Sequence, residues 1–279
     1  LEPGDEVIIP SPYWLSYPEI VKLAGGKPVF LDSSATNGFK IDIDKLNSKI
    51  STKTKFIIIN SPNNPTGQVL TKEELQDIAD VLRKNKTVSL ISDEIYELIL
   101  KEGLKHISIA SLAKDLSKRI FTINGFAKGW AMTGWRVGYL VGNKEVIEAS
   151  SSLQSQSTSN VCSFVQRGAL AALKINRNFF IEMNKKYDQR RKILYEGLNT
   201  LKGIKIYPPS GAFYGFPELP NKDISSIDFC NQALNDFGLV LVPGLAFGNN
   251  QCIRISSAAS NDKILDGLSR LKMALQRYY

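Results

Sequence analysis

Short runs of apolar, β-rich residues alternate along the first half of the chain with segments whose apolar positions recur at helical spacing. The runs at 6–10, 27–31, 55–60, 88–92, 120–124 and 136–141 are almost continuously apolar. Strands buried on both faces of a parallel sheet have that pattern. Between them, Thr71-Lys72-Glu73-Glu74 is a capping box, and Leu75, Ile78 and Leu82 follow on one helical face. Strand–helix alternation of this kind predicts an α/β fold, a mostly parallel sheet sandwiched by helices.

From Val146 onward the character changes. A long helical pattern covers 161–201 with an interruption near Asn176, and shorter strands are expected at 204–207, 212–216, 240–242 and 252–256. Helical patterns at 227–235 and 262–276 lie between and after them. This predicts a smaller C-terminal α+β domain, so that residues 1–180 form a large domain and 181–279 a small one.

Composition narrows the function classes. The 279 residues are 43% apolar and 22% charged, enough for a large and a small core and too apolar for disorder. The net charge of +8 is carried by scattered lysines, without a basic run or aromatic–basic interleaving. Solvated helix faces are the expected reading, with no nucleic-acid partner. No apolar run reaches membrane-spanning length and no signal peptide is visible, so a cytoplasmic chain without a membrane partner is expected. Cys162, Cys230 and Cys252 are odd in number and far apart. They read as buried reduced thiols. The single histidine, His106, excludes a histidine-based metal site and reads as a surface residue in the polar stretch Lys105-His106-Ile107-Ser108. The chain opens Leu1-Glu2-Pro3-Gly4-Asp5, a turn leading straight into the first strand. That opening is expected of a fragment or a processed chain.

Five segments can carry chemistry. Asn124-Gly125-Phe126-Ala127-Lys128 follows a strand, and Met132-Thr133-Gly134-Trp135-Arg136 comes soon after. A lysine buried among aromatics beside another cation loses its proton easily and then forms imines with carbonyls, while arginine offers a planar fork to phosphate. A surface lysine next to a structural arginine fits the same residues. Asn60-Ser61-Pro62-Asn63-Asn64-Pro65-Thr66-Gly67 reads as a turn. Asp93, in Ser92-Asp93-Glu94-Ile95-Tyr96, ends a strand, where it faces a ligand crevice or caps a helix. Pro12-Tyr13-Trp14 is an aromatic cluster of the kind usually found in cores. Arg254 lies inside the apolar strand Cys252-Ile253-Arg254-Ile255-Ser256 and needs an anionic partner if buried.

Together, in this order, the segments resemble the motifs of class I pyridoxal-phosphate-dependent aminotransferases of fold type I, the subgroup that includes many bacterial aspartate aminotransferases. Ser210-Gly211-Ala212-Phe213-Tyr214 and Val242-Pro243-Gly244-Leu245-Ala246-Phe247-Gly248 resemble two further family segments. The resemblance implies pyridoxal 5'-phosphate as cofactor, an amino acid and a 2-oxo acid as substrates, and a homodimer. Lys128 would be the Schiff-base lysine and the proton shuttle, and Arg136 would bind the cofactor phosphate. Asp93 would hold the pyridine nitrogen, Asn64 and Tyr96 the phenolic oxygen, and Trp14 would stack on the ring. Arg254 would clamp the substrate α-carboxylate, with Trp14 and Asn64 beside it. Ala127 stands where the family frequently has serine, which removes one hydrogen bond.

Family members normally carry a further segment before the Pro-Gly-Asp turn, with the phosphate loop, a reader of the substrate side chain and an intersubunit tyrosine. Aspartate with 2-oxoglutarate is the expected substrate pair; aromatic, alanine and prephenate-type transamination are the alternatives. A fold-type-I lyase shares the lysine and the aspartate, but Asn64-Pro65-Thr66-Gly67 and Met132-Thr133-Gly134-Trp135-Arg136 favour transamination. A non-enzymatic regulator with such a domain would need a DNA-binding segment upstream. A dehydrogenase would need a Gly-x-Gly-x-x-Gly turn, which the sequence lacks.

Overall fold

Six strands form the central sheet of the computed structural model, which describes residues 1–220 and 223–278. They are β1 (Glu6–Pro10), β2 (Lys27–Leu31), β3 (Thr54–Asn60), β4 (Ser89–Asp93), β5 (Ile120–Gly125) and β6 (Gly138–Val141). Their order is β2-β1-β3-β4-β5-β6, parallel throughout except that β6 runs antiparallel to β5. The side-chain alternation of β1 explains why the sheet needs cover on both faces. Ile8 points into a core with Ile57, Ile59 and Leu90, closed by residues of α2 (Ile43–Lys49), α3 (Lys72–Lys84) and the short α4 (Ile109–Leu112). Val7 and Ile9 point the other way, to Ile58 and to Tyr17 and Val21 of α1 (Ser16–Leu23). Burying each such aliphatic side chain contributes about 1.5–3 kcal/mol. The capping box forms as expected: Thr71 accepts from the Glu74 N–H and Glu74 from the Thr71 N–H.

The helical pattern after Val146 resolves into α5 (Lys144–Ser155), α6 (Ser163–Ala172) and α7 (Arg177–Asn199), with Asn176 capping the last. The expected division at 180 and 181 therefore lies in the first turns of α7. A second core gathers Leu194 and Leu198 of α7 with residues of α8 (Ser226–Phe237) and α9 (Asn261–Tyr278). Beside it lies a small antiparallel sheet of β7 (Tyr214–Gly215), β8 (Val242–Pro243) and β9 (Ile253–Ser256), ordered β7-β9-β8. A mostly parallel sheet with helices plus a smaller α+β region is the expected fold class.

Three expectations need correcting here. The strand expected at 204–207 is a single bridge, Lys205 to Glu218. Pro208 and Pro209 follow it and Pro217 and Pro220 flank its partner, so N–H donors for a longer ladder are missing. Arg136 does not begin a strand: its φ of 54° places it in the left-handed region at the end of a 3-10 turn, and β6 starts at Gly138. Ala212, with φ 51°, similarly shortens the strand expected at 212–216 to Tyr214–Gly215. Among the described residues no helix is long and apolar enough to cross a membrane.

Candidate active site

Parallel strands send all their carboxyl ends to one edge of the sheet, and the chain reverses its direction of strand addition between β1 and β3. Trp14 follows the end of β1, Asn64 the end of β3, and Lys128 the end of β5, while Asp93 is the last residue of β4 with Tyr96 just beyond. Because β6 is antiparallel, its start lies at that same edge and brings Arg136 there too. β9 of the small sheet adds Arg254. These seven residues line one open cavity of about 630 Å³.

Close backbone approach shapes the Lys128 loop. Gly125 pairs with Gly138, and a Cβ on Gly125 would stand 2.7 Å from the Gly138 Cα. The turn after β3 is similarly tight: Gly67 has φ +70° and leaves no room for a Cβ beside the Tyr214 carbonyl, 2.9 Å away.

Lys128 is half-buried, its Nζ 5.8 Å from the Tyr96 ring centre and 5.9 Å from that of Phe213. Burial lowers its pKa from the ordinary lysine value; the charges of Arg254 and Arg136 lower it further, and Asp93 opposes them. Burial also raises the Asp93 carboxyl above the ordinary aspartate range. Against that, Tyr17 Oη donates to its Oδ2 at 2.6 Å and the Ile95 N–H to its Oδ1 at 3.1 Å, both favouring the ionised form. Tyr17, buried against that carboxylate, is raised well above the usual phenol value.

Arg254 packs against two rings, its Cζ 4.6 Å from the centre of Tyr214 and 4.9 Å from that of Phe247. Its Nη1 donates to Asn64 Oδ1 at 3.0 Å, while its buried Nε has no partner among the described residues. Only the amide oxygen of Asn64 can accept that bond, so the amide nitrogen is turned away from the arginine. Asn64 is itself buried, with its backbone N–H donating to Asn60 Oδ1 at 2.8 Å. Arg136 is exposed and donates to the Thr133 carbonyl at 3.1 Å. Trp14 is 37% exposed and meets Tyr17 edge-on at 5.4 Å, which leaves ring surface open to the cavity.

Residues 1–270 match the family described as aminotransferase class I and II. The chain belongs to the aminotransferase class I and II family.

An aspartate aminotransferase of Bacillus sp. (strain YM-2) is 41% identical over 276 residues, which cover 97% of this chain and 70% of that protein. A probable aspartate/prephenate aminotransferase of Rickettsia felis is 41% identical over 284 residues, 98% of this chain and 69% of that protein. The structure of aspartate aminotransferase from Thermus thermophilus with maleate superposes with a TM-score of 0.93 at 40% identity, over 99% of this chain and 71% of that one. The chain thus spans about 70% of the length of these relatives. Aminotransferases of this family act on amino acids and 2-oxo acids.

The aminotransferase also holds polar groups that pattern reading did not single out. His106 is not a surface residue: its side chain is 12% exposed and its Nε2 lies 2.9 Å from Glu94 Oε2. Glu94 is buried beside Asp93, so its carboxyl requires partners; Ser92 and Ser108 also donate to it, at 3.0 and 2.8 Å. A charged residue next to a strand end was the only signal, and nothing in the sequence pairs it with His106. Tyr17 was hidden because it sits at an apolar position of α1. The Tyr214 hydroxyl lies 2.8 Å from that of Tyr96, across a gap of 118 positions that no local pattern reports. Of the cysteines, Cys230 and Cys252 are buried as expected, but Cys162 is exposed just before α6.

Proposed function

We propose that the cavity binds pyridoxal 5'-phosphate and transaminates amino acids, with aspartate and 2-oxoglutarate as the substrate pair. The observation that carries this reading is Arg254. A guanidinium packed on two rings, bonded to Asn64 and left with a buried unpaired Nε, lines the same cavity as a lysine of lowered pKa. An arginine so fixed suits a planar carboxylate, and an amine so depressed suits a carbonyl.

The donor set fits the cofactor group by group. A buried carboxylate that accepts a hydrogen bond from Tyr17 suits a protonated pyridine nitrogen; Tyr96 and the amide nitrogen of Asn64 suit a phenolic oxygen; Arg136 suits a phosphate. When bound, pyridoxal phosphate supplies an aldehyde that exchanges amines and a ring that takes up the electron pair released at the substrate α-carbon. Asp93 would hold the proton on the ring nitrogen, and the hydrogen bond from Tyr17 favours its charged form, opposing the effect of burial. Trp14 covers a ring face. Arg254 fixes the substrate α-carboxylate, which sets the direction of the bond to the α-hydrogen. Lys128, its pKa lowered by burial and by the charges of Arg254 and Arg136, would take the proton from the substrate α-carbon and carry it through the shift.

In this reading residues 1–180 form the cofactor-binding domain and 181–279 the small domain that contributes Arg254. The enzyme works as a homodimer; α5 has no buried residue, and Val141, Leu153, Phe164 and Leu173 are all more than half exposed, apolar side chains that a second copy would cover. Free cysteines support a cytoplasmic location.

The test is absorbance titration with pyridoxal phosphate, followed by single-turnover reaction with aspartate, with an aromatic amino acid and, in the reverse direction, with prephenate as acceptor. Aspartate is expected to bleach the cofactor band fastest. Recovery of the aspartate-bleached band by prephenate and not by 2-oxoglutarate would move the acceptor assignment to the class of the Rickettsia relative. No band at all would remove the cofactor assignment.

A further inference from the structure

Tyr214 touches two residues of the cavity in different ways. Its ring centre lies 4.6 Å from the Arg254 Cζ, and its hydroxyl lies 2.8 Å from the Tyr96 hydroxyl. The residue is 6% exposed, on β7, held by antiparallel pairing with β9, the strand that carries Arg254. We infer that Tyr214 is a positioning residue with two parts: its hydroxyl directs the Tyr96 proton toward the cofactor's phenolic oxygen, and its ring fixes the Arg254 guanidinium for the substrate carboxylate. The inference rests on the proposed binding of pyridoxal phosphate in this cavity.

The hydroxyl argument is a matter of proton count. Each phenol has one proton and can both donate and accept. Two phenols at 2.8 Å share one hydrogen bond, in either direction, and the remaining proton points outward. An anionic oxygen beside Tyr96 selects the arrangement in which Tyr96 donates to it and Tyr214 donates to Tyr96. Donation into the Tyr96 oxygen polarises its O–H and strengthens the outward bond. Both residues are buried, at the wall of the cavity.

The ring argument is one of freedom. Arginine has a long side chain, and its fork binds a carboxylate well only when its plane is set. Packing on Tyr214 and Phe247, together with the bond to Asn64 Oδ1, sets it before substrate arrives. A purely structural reading of Tyr214 is also simple: a buried tyrosine needs a hydrogen-bond partner and a packed ring. The two readings part on what the hydroxyl does to the cofactor.

The experiment uses the full chain loaded with pyridoxal phosphate and titrated by absorbance over pH. A titrating band in the wild type supports the parent reading; its absence overturns that reading and this inference together, before any variant is made. Tyr214→Phe keeps the ring and removes the hydroxyl. Its titration midpoint is expected to rise by about half a pH unit, since weaker donation disfavours the anionic form of the cofactor, with KM for aspartate and 2-oxoglutarate almost unchanged. The same change in a Tyr96→Phe background is expected to add no further shift. Tyr214→Met removes the ring at similar volume and is expected to raise KM for both substrates roughly three- to ten-fold. Circular dichroism of each variant verifies folding, and if the methionine variant does not fold, the two phenylalanine variants decide. An unchanged midpoint in Tyr214→Phe, or an equal shift with and without Tyr96, overturns the inference.

Discussion

Two arginines line the cavity, and they are built differently. Arg254 sits in the central strand of the small sheet, partly buried, packed on two rings and bonded to a buried asparagine. Arg136 is exposed, at the end of a 3-10 turn in a left-handed backbone conformation, with a single bond to a carbonyl three residues back. The first has its geometry set before a ligand arrives; the second can follow one. A fixed fork discriminates between ligand shapes, whereas an exposed charge contributes a smaller, screened attraction. Shape recognition is therefore expected on the Arg254 wall and general anion attraction on the Arg136 wall.

Lys128 belongs to neither wall and sets the scale. Lys128→Ala is expected to lower kcat on the order of 10⁴-fold in steady-state assays, because both the carbonyl partner and the proton carrier are lost. Residual activity near that of the wild type would move the chemistry elsewhere. Next in size, Arg254→Lys is expected to cost about 2–5 kcal/mol in kcat/KM for every amino acid and 2-oxo acid, because the α-carboxylate is common to all. An effect confined to dicarboxylic substrates would make Arg254 a side-chain reader and break the comparison. Arg136→Ala is expected to weaken cofactor binding by a factor of about five, measured by titration, as befits one exposed charge. A loss larger than that at Arg254 would invert the account.

The smallest effect concerns stability. Asp93 has its folded-state pKa raised above the ordinary value, chiefly by burial. The unfolded chain therefore releases this proton at lower pH than the folded one. Stability falls as pH rises from the ordinary aspartate range through the raised value, and the deficit persists above it. Asp93→Asn is expected to raise the Tm of the cofactor-free protein at neutral pH and to leave it unchanged below the aspartate range. A neutral-pH Tm below that of the wild type would show that Tyr17 and the Ile95 N–H outweigh desolvation.

Where the sequence was legible, the reason was local. The six strands of the large sheet could be placed because each is an apolar run between turn signals, and their parallel order then sends Trp14, Asn64, Asp93 and Lys128 to one edge. Strands of the small sheet were placed less well, since the prolines at 208, 209, 217 and 220 and the backbone of Ala212 cut short ladders that composition alone would extend. The hydrogen bonds among buried polar groups were not legible at all. Tyr17 to Asp93 spans 76 positions and Tyr96 to Tyr214 spans 118; only the fold brings such pairs together. His106 was misplaced for the same reason, because a polar stretch says nothing about a buried carboxyl waiting for it.

Borohydride reduction of the protein loaded with pyridoxal phosphate, followed by peptide mapping, tests the central claim most directly. Reduction fixes the cofactor to whichever amine holds it. The label is expected on the peptide containing Asn124-Gly125-Phe126-Ala127-Lys128, at Lys128, in stoichiometric amount. A label spread over exposed lysines, or concentrated on any lysine other than Lys128, would contradict the account.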